Sequence, residues 1–244
     1  MPASPLEVFE DNIADAERLT DLAAALVNTR VRRMRRELRD SVGDALGVRR
    51  GDRNSLDCVE SDEVFVVLKP GGHFTRTYFT ERELRPLLRQ AVVAISAAVE
   101  TYVADKACEY IPAALRDRPP RLKQVSVNLN DVLDIDGKYK RRGWGYRKIL
   151  QAYLRDTASP APSQIGRVLS VVGQKLDWGK LDLARSVTPG RSEQDLETLY
   201  ARRNSIAHQA DRQGRGRRSI TIAEVVDLLA SAQGVVEAID AQLG

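Results

Sequence analysis

The sequence predicts a mainly α-helical protein, in which an antiparallel helical bundle over residues 80–244 follows an N-terminal section, residues 1–79, with a helix and a small β-hairpin. Three observations predict this class. Only 5% of the residues are aromatic, whereas the helix-favouring types Ala, Leu and Arg recur along the chain. Apolar residues lie at helical spacing in most segments. Only residues 63–79 have the pattern of β-strands.

The N-terminal section begins with a predicted helix over residues 5–47, whose apolar residues lie at helix-like intervals. The second half of this helix carries six arginines: Arg30, Arg32, Arg33, Arg35, Arg36 and Arg39. Two interpretations of residues 30–39 stay open. The arginines form a solvated helix face that pairs with Glu37 and Asp40, or they provide a surface that follows the phosphates of a nucleic acid.

Two strand-like runs follow, residues 63–69 and 73–79, on either side of a turn at Pro70, Gly71 and Gly72. β-branched and aromatic residues recur in both runs, so the two are predicted to pair as a hairpin.

Five helices are predicted after the hairpin. Thr80 and Glu83 have the spacing of a capping box, so the first helix runs from residue 80 to about residue 110. The other four are expected over residues 145–156, from Ser163, from Ser192 with its side chain as the cap, and from Thr221 to Leu243 with Glu224 completing a second capping box.

A basic segment with interleaved aromatic residues spans residues 137–148. Its basic residues are Lys138, Lys140, Arg141, Arg142, Arg147 and Lys148, and its aromatic residues are Tyr139, Trp144 and Tyr146. Such a segment can stack on the bases of a single strand, or it can be an exposed loop that the aromatic side chains anchor.

Composition excludes several classes of protein. The chain has two cysteines, Cys58 and Cys108, without the spacing of a disulfide framework or zinc site, and no metal or cofactor is expected. No apolar run approaches the roughly 20 residues of a membrane span, and the first residues lack the order of a signal peptide, so a cytoplasmic protein is expected. The net charge of +4, mostly from Arg, permits a polyanionic partner.

The residues most suited to chemistry lie in residues 196–208, which form one amphipathic helix. At 100° per residue, Arg203 falls near the centre of the apolar arc, whereas Arg202 points away from it. Asn204 and His208 are four apart and lie together at the edge of the arc. A guanidinium on an apolar stripe requires a buried acidic partner or an interface, so this segment is a candidate site.

Residues 203–208, Arg-Asn-Ser-Ile-Ala-His, resemble the motif of HEPN domains, in which an Arg precedes a His by four to six intervening residues and a polar residue often follows the Arg. The Ile-Ala before the His is similar to the branch of that family found in bacterial toxin and defence proteins. The family also has a long final helix after the motif and a first helix with a late acidic residue, here Glu100. The resemblance covers residues 80–244.

The resemblance implies cleavage of RNA without a metal, since RNA carries its own nucleophile in the 2′-hydroxyl. His208 is the expected general base or acid, with the order of the two roles open. Arg203 is expected to hold the scissile phosphate, and Asn204 to orient the phosphate or the histidine. Tyr200 is a supporting residue, and Glu100 either pairs with Arg203 or is a surface acid.

The family also implies a homodimer, in which the motif helices of two protomers face each other and share one cleft. RNA contacts are predicted for Arg202 and for a basic loop after the motif, unless that loop is only a solvated turn. The loop residues are Arg212, Arg215, Arg217 and Arg218.

Three functions follow from the resemblance. The first is a toxin or antiviral-defence ribonuclease that works with an antitoxin or a defence-system partner. The second is a non-catalytic module that binds nucleic acid or a nucleotide, or that serves as a dimerising subunit of such an assembly. The third is an interaction scaffold in which Arg203 and His208 are structural.

Overall fold

The computed structural model describes residues 3–139, 141–214 and 216–244, and within these ranges it contains eleven α-helices and five short strands. The prediction of a mainly helical fold with a small antiparallel sheet is therefore confirmed. The helices are α1 (Pro5–Val27), α2 (Arg36–Ala45), α3 (Glu81–Glu109), α4 (Ile111–Asp117), α5 (Leu129–Leu133), α6 (Ile135–Lys138), α7 (Arg142–Thr157), α8 (Pro162–Val171), α9 (Trp178–Ala184), α10 (Arg191–Gln209) and α11 (Ile222–Leu243).

The chain divides into two compact units. The larger unit contains Met1–Ala16, Val92–Arg218 and Val226–Gly244, and the smaller unit contains Glu17–Ala91 and Ser219–Val225. Helices α1, α3 and α11 each contribute residues to both units. The expected division of the chain at residues 79 and 80 stays a prediction.

The smaller unit contains a three-stranded antiparallel sheet in the order β1 (Arg30–Arg32), β2 (Asp57–Glu60) and β3 (Phe65–Leu68). The prediction of one helix over residues 5–47 is therefore wrong, because α1 ends at Val27 and the next residues form β1. The hydroxyl of Thr29 donates to the Leu26 carbonyl at 2.8 Å at this helix end. Pairing with β2 is a long-range contact, so helical spacing alone did not indicate a strand here.

The predicted hairpin is shifted along the chain. Strand β3 pairs with β2, with Glu60 opposite Phe65, and Arg76–Phe79 form a 3₁₀ helix instead of the expected second strand. The turn between β2 and β3 is closed by the Ser61 amide, which donates to the Val64 carbonyl at 2.9 Å, while the Ser61 hydroxyl accepts from the Val64 amide. This hydroxyl stabilises the turn in the way that is typical of serine.

Of the five predicted helix starts, three are confirmed, the start of α7 lies three residues earlier than expected, at Arg142, and one is corrected. Helix α3 begins at Glu81, α8 begins at Pro162, and the Thr221 hydroxyl accepts from the Glu224 amide at 3.2 Å at the start of α11. Ser192 does not cap α10, which begins at Arg191 after Gly190.

The core of the larger unit joins α3 to α11. The buried Tyr102 hydroxyl donates to Asp240 at 3.0 Å, and the Lys106 ammonium lies 2.9 Å from the same carboxylate. Phe9 packs edge-on against the Tyr102 ring, with centroids 6.0 Å apart. Helix α3 is long and apolar enough to cross a membrane, but 61% of its most apolar stretch is buried within the protein, as is typical of a core helix.

Candidate functional site

The predicted motif lies in the last two turns of α10, and the helix presents a different face to the core than the sequence predicts. Its buried residues are Ser192, Asp195, Leu196, Leu199 and Arg202. At 100° per residue, the mean direction of these five side chains around the helix axis differs by roughly 50° from the centre of the predicted apolar arc. Arg202 is therefore buried and Arg203 lies at the border of the buried face, half-exposed. The prediction that Arg202 points away from the core is wrong.

Buried polar residues explain the rotation. Asp195 accepts from Arg185 at 2.8 Å and from Arg191 at 2.6 Å, so its carboxylate is fully paired although it is buried. The Ser192 hydroxyl accepts from Arg185 at 2.8 Å. The amphipathic pattern of a helix is defined by its apolar residues, so Ser192 and Asp195 are expected at the surface. The predicted buried arc is therefore displaced away from these two buried polar residues.

Asp182 of α9 positions the start of α10. Its buried carboxylate accepts from the Gly190 amide at 2.6 Å and from the Ser192 amide at 2.8 Å, which satisfies two amides at the start of the helix. Burial raises the pKa of Asp182, but the hydrogen bonds from Ser192 and Gly190 and the charge of Arg185 outweigh burial, and the pKa lies below its ordinary value. The carboxylate is therefore charged at neutral pH.

We expect Asp182→Asn to lower the free energy of unfolding by about 1.5–3 kcal/mol at pH 7, the usual contribution of hydrogen bonds to a charged group. Because the folded pKa is lowered, this stabilisation is present above the ordinary carboxyl pKa and is lost as the pH falls through the folded value. Urea unfolding of both proteins between pH 7 and pH 2.5 measures the difference. Glu193→Gln, at an exposed position of the same first turn, is the control. A difference that stays constant down to pH 2.5 would contradict the assigned role.

Arg202 forms a buried ion pair with Asp211, and the two side chains are 2% and 1% exposed. The Ser205 hydroxyl lies 3.5 Å from the same carboxylate. Helix α10 ends here, because Ala210 and Asp211 have positive φ angles of 48° and 56° and the Asp211 amide donates to the Ser205 carbonyl at 2.8 Å. Arg202, predicted to contact RNA, is instead held inside the protein, where it fixes the end of the motif helix.

Arg203 is bound to its neighbour in the motif. Its Nη1 donates to the Asn204 side-chain oxygen at 3.1 Å. Burial raises the pKa of Glu100, and the positive charge of Arg203 acts in the opposite direction. Arg203 and Glu100 are thus close enough to interact electrostatically, and no direct ion pair joins them in the part of the chain that the structure describes. The guanidinium keeps most of its donors available for a ligand.

Glu100 also lines a groove of about 340 Å³ along α3. Thr101 and Asp105 lie on the same wall, and the Arg155 side chain from α7 donates to Asp105 at 3.2 Å. Because Glu100 is half-buried, the acid that sequence analysis associates with the motif lies at the edge of a polar groove and not on an open surface.

His208 lies in the last turn of α10 with its side chain exposed. Tyr200, Asn204 and His208 are spaced by four residues and follow one side of the helix, and Tyr200 and Asn204 are half-exposed. Arg203 and His208 are five residues apart, so in an ideal helix their Cα atoms lie roughly 9 Å apart and their side chains leave the helix in directions about 140° apart.

A small hairpin follows the motif helix. Strands β4 (Arg212–Gln213) and β5 (Gly216–Arg217) pair with Arg212 opposite Arg217, and both side chains are exposed. Like charges at directly opposite positions of a hairpin destabilise it, unless an anion binds between them. The Arg218 amide donates to the Asp211 carbonyl at 2.7 Å, which joins the hairpin to the buried ion pair. Arg215 lies outside the described residues.

The basic segment at residues 137–148 has a partly different structure from the expected loop. Helix α7 begins at Arg142, and Gly145 packs so closely on Ile135 that an added Cβ would lie 2.7 Å from that side chain. Trp144 is 62% exposed and does not anchor the segment. Lys138 pairs with Asp134 at 2.6 Å, and Lys140 lies outside the described residues.

Asp211 and Asp182 are the structurally important residues that sequence analysis missed. Each acts on α10 from outside the helix, and neither falls at a helical spacing from its partner. Among the residues that the structure describes, no group of three or more His, Cys, Asp or Glu side chains is placed to hold a metal ion.

Comparison with known proteins adds one finding. Residues 73–244 match the family model described as RiboL-PSP-HEPN, which is more than two thirds of the chain. No curated protein and no solved structure matches the chain at a significant level. HEPN domains in general belong to nucleases and nucleotide-binding proteins. The matched range contains α3, the motif helix α10 and the final helix α11, and the chain belongs to the RiboL-PSP-HEPN family.

Proposed function

We propose that this protein is a metal-independent endoribonuclease whose catalytic residues are Arg203, Asn204 and His208. The observation that carries the proposal is the contrast between the two neighbouring arginines of the motif. Arg202 is buried and bound to Asp211, whereas Arg203 is half-exposed and five residues from the exposed His208, and within the described ranges its side chain donates only to Asn204. Arg203 and His208 therefore lie where a phosphate can reach both a guanidinium and an imidazole.

The reaction needs two proton transfers and stabilisation of one added negative charge. A general base removes the proton of the 2′-hydroxyl, and the 2′-oxygen forms a bond to phosphorus while the bond from phosphorus to the 5′-oxygen breaks. A general acid donates a proton to that 5′-oxygen. The products are a 2′,3′-cyclic phosphate and a 5′-hydroxyl. His208 performs one transfer, Arg203 holds the phosphate through its parallel N–H donors, and Asn204 orients Arg203.

The second proton transfer comes from a second copy of the chain. The sequence contains two histidines, and the other one, His73, lies outside the motif. A homodimer in which the exposed edges of two α10 helices face each other supplies a second His208 and a second Arg203 to the same cleft. The exposure of His208 and Ala207 supports this arrangement, since a dimer would cover these residues.

The hairpin after α10 contributes to RNA binding. Arg212 and Arg217 are opposite each other and exposed, and the Arg202–Asp211 pair fixes the base of the hairpin beside His208. A phosphate between the two arginines would remove their repulsion. We assign the protein to the cytoplasm, as a toxin or defence effector controlled by an antitoxin or a defence-system partner.

Incubation of the purified protein with structured and single-stranded RNA in excess EDTA tests the proposal. We expect cleavage that EDTA leaves unchanged, with fragments that end in a 2′,3′-cyclic phosphate and a 5′-hydroxyl. The ends are identified by mass spectrometry and by their response to polynucleotide kinase, which phosphorylates a free 5′-hydroxyl. Fragments with 5′-phosphate ends, or activity that requires added Mg²⁺, would contradict the mechanism. The absence of cleavage by a folded dimer would favour the binding or scaffold function.

A further inference from the structure

The smaller unit contains a second basic surface that the HEPN motif does not involve. A cavity of about 510 Å³ lies where β1 leads into α2, within the range of about 300–1,000 Å³ that small-molecule sites occupy. Its lining includes Arg32, Arg33, Met34, Arg35, Leu38 and Phe65. All of these residues precede residue 73, where the match to the family begins, so family membership assigns them no role.

The cavity has an exposed aromatic ring. Phe65 is the first residue of β3, lies opposite Glu60 of β2, and is 46% exposed. Leu38 of α2 is 47% exposed in the same cavity. Residues that pair directly across antiparallel strands share one face of the sheet, so Phe65 and Glu60 lie on the same face as Arg30, which is opposite Glu60 in β1. The ring is therefore exposed on a face of the sheet that carries charged side chains.

The charges of the cavity are not balanced. Arg32 donates to Glu60 at 2.6 Å, and Arg30 lies 3.9 Å from the same carboxylate, so Glu60 is already paired. Arg33 and Arg35 are exposed and form no ion pair with an acidic residue in the described part of the chain. The cavity thus combines two available guanidinium groups with an accessible phenyl ring.

We propose that this cavity binds single-stranded nucleic acid, with one base stacked on Phe65 and the neighbouring phosphates bound by Arg33 and Arg35. Proteins that bind single strands without sequence preference combine aromatic rings for the bases with basic side chains for the backbone. A free phosphate ion would use the arginines but not the ring. The site is separate from the proposed catalytic residues, and the proposal holds whether or not the chain cleaves RNA.

The first test replaces the ring. Binding of fluorescein-labelled octauridylate and octadeoxythymidylate is measured by fluorescence anisotropy on the full chain, with His208→Ala in every protein to prevent cleavage. We expect Phe65→Leu to weaken binding at least about fivefold, because stacking of one base contributes at least that factor, and Phe65→Trp to retain binding. Phe74→Leu is the control, since Phe74 is 67% exposed and does not line the cavity. Thermal melts check that each variant is folded.

The second test replaces the charges. For a single strand, each phosphate contact contributes about 0.7 to the slope of log affinity against log salt concentration. We expect Arg33→Gln with Arg35→Gln to lower this slope by about 1.4. The matched control is Arg49→Gln with Arg50→Gln, which removes two exposed arginines of the same unit outside the cavity.

The outcomes decide the proposal. Weaker binding of both oligonucleotides by Phe65→Leu supports the site. Weaker binding of the RNA oligonucleotide alone also supports it, and would indicate a further contact to the ribose 2′-hydroxyl. Unchanged binding of both oligonucleotides by a folded Phe65→Leu protein would overturn it. An equal fall of the salt slope in the Arg49 and Arg50 control would also overturn it, because the effect would then reflect the overall charge of the unit.

Discussion

Replacement of His208 by Ala should reduce RNA cleavage by about 10²–10⁴-fold, the usual contribution of a general acid or base. The side chain is exposed at the end of α10, so the thermal midpoint should stay unchanged. Rates are measured under single-turnover conditions in EDTA with one labelled RNA. Affinity for the uncleaved RNA, measured separately, should change little, because a proton-transfer residue acts mainly on the chemical step.

His73→Ala is the matched control for this prediction. It removes the other histidine of the chain, which is also exposed, and we expect the cleavage rate to stay the same. If His208→Ala retained the full rate while His73→Ala lost it, the site would have been assigned to the wrong part of the chain. If both retained it, proton transfer by histidine would be excluded.

Mixing active and inactive protomers tests whether the cleft is shared. Wild-type and His208→Ala protomers, dissociated and reassociated together, form heterodimers that contain only one intact His208. If each cleft needs a His208 from both protomers, these heterodimers should be inactive, and the cleavage rate should fall with the square of the wild-type fraction. If each protomer worked alone, the rate would fall in direct proportion to the wild-type fraction.

The second large effect separates the two neighbouring arginines. Arg202→Ala leaves the Asp211 carboxylate buried without its cation, so we expect the free energy of unfolding to fall by about 3–5 kcal/mol. Arg203→Ala removes a half-exposed side chain and should change stability much less, while it lowers the cleavage rate by about 10²–10³-fold, as the loss of one donor to a transition state does. Urea unfolding and single-turnover rates on both variants measure the contrast.

Two further variants sharpen this comparison. Arg203→Lys keeps the positive charge but loses the planar pair of donors. Compared with Arg203→Ala, it should therefore recover more of the RNA affinity than of the cleavage rate. Arg202→Met combined with Asp211→Asn removes both buried charges, and Asn tolerates the left-handed backbone at residue 211. This double variant should recover part of the lost stability. An Arg202→Ala protein as stable as the wild type would contradict the structural role of the ion pair.

Local pattern was sufficient for the elements that depend on neighbouring residues. The extents of α3 and α11 follow from the spacing of their apolar residues, and the cap of α11 follows from the spacing of Thr221 and Glu224. The string Arg-Asn-x-Ile-Ala-His, together with its place in an amphipathic helix before the final helix, indicated the HEPN family, and the family match confirms it.

Strand β1 shows where local pattern was not sufficient. Six arginines among residues 30–39 have high helix propensity, yet Arg30–Arg32 form a strand because Cys58–Glu60 of β2 pair with them. The second run of the predicted hairpin forms a 3₁₀ helix for a related reason. Strand β3 pairs with β2, which precedes it in the chain, and not with the residues that follow the predicted turn at Pro70–Gly72. Long-range pairing outweighs propensities of a few tenths of a kcal/mol per residue.

The sequence by itself determined the helical class, the family and the identity of the motif residues, because each depends on composition or on spacing between residues close in the chain. The tertiary structure decided which of the two neighbouring arginines is buried, Arg202, and which is half-exposed, Arg203. That choice depends on Asp211 and Arg185, which lie outside α10 and pair with Arg202 and Asp195 on the helix. A buried carboxylate requires a cation, and the position of that carboxylate in space, not the hydropathy of the helix, sets which side of α10 faces the core.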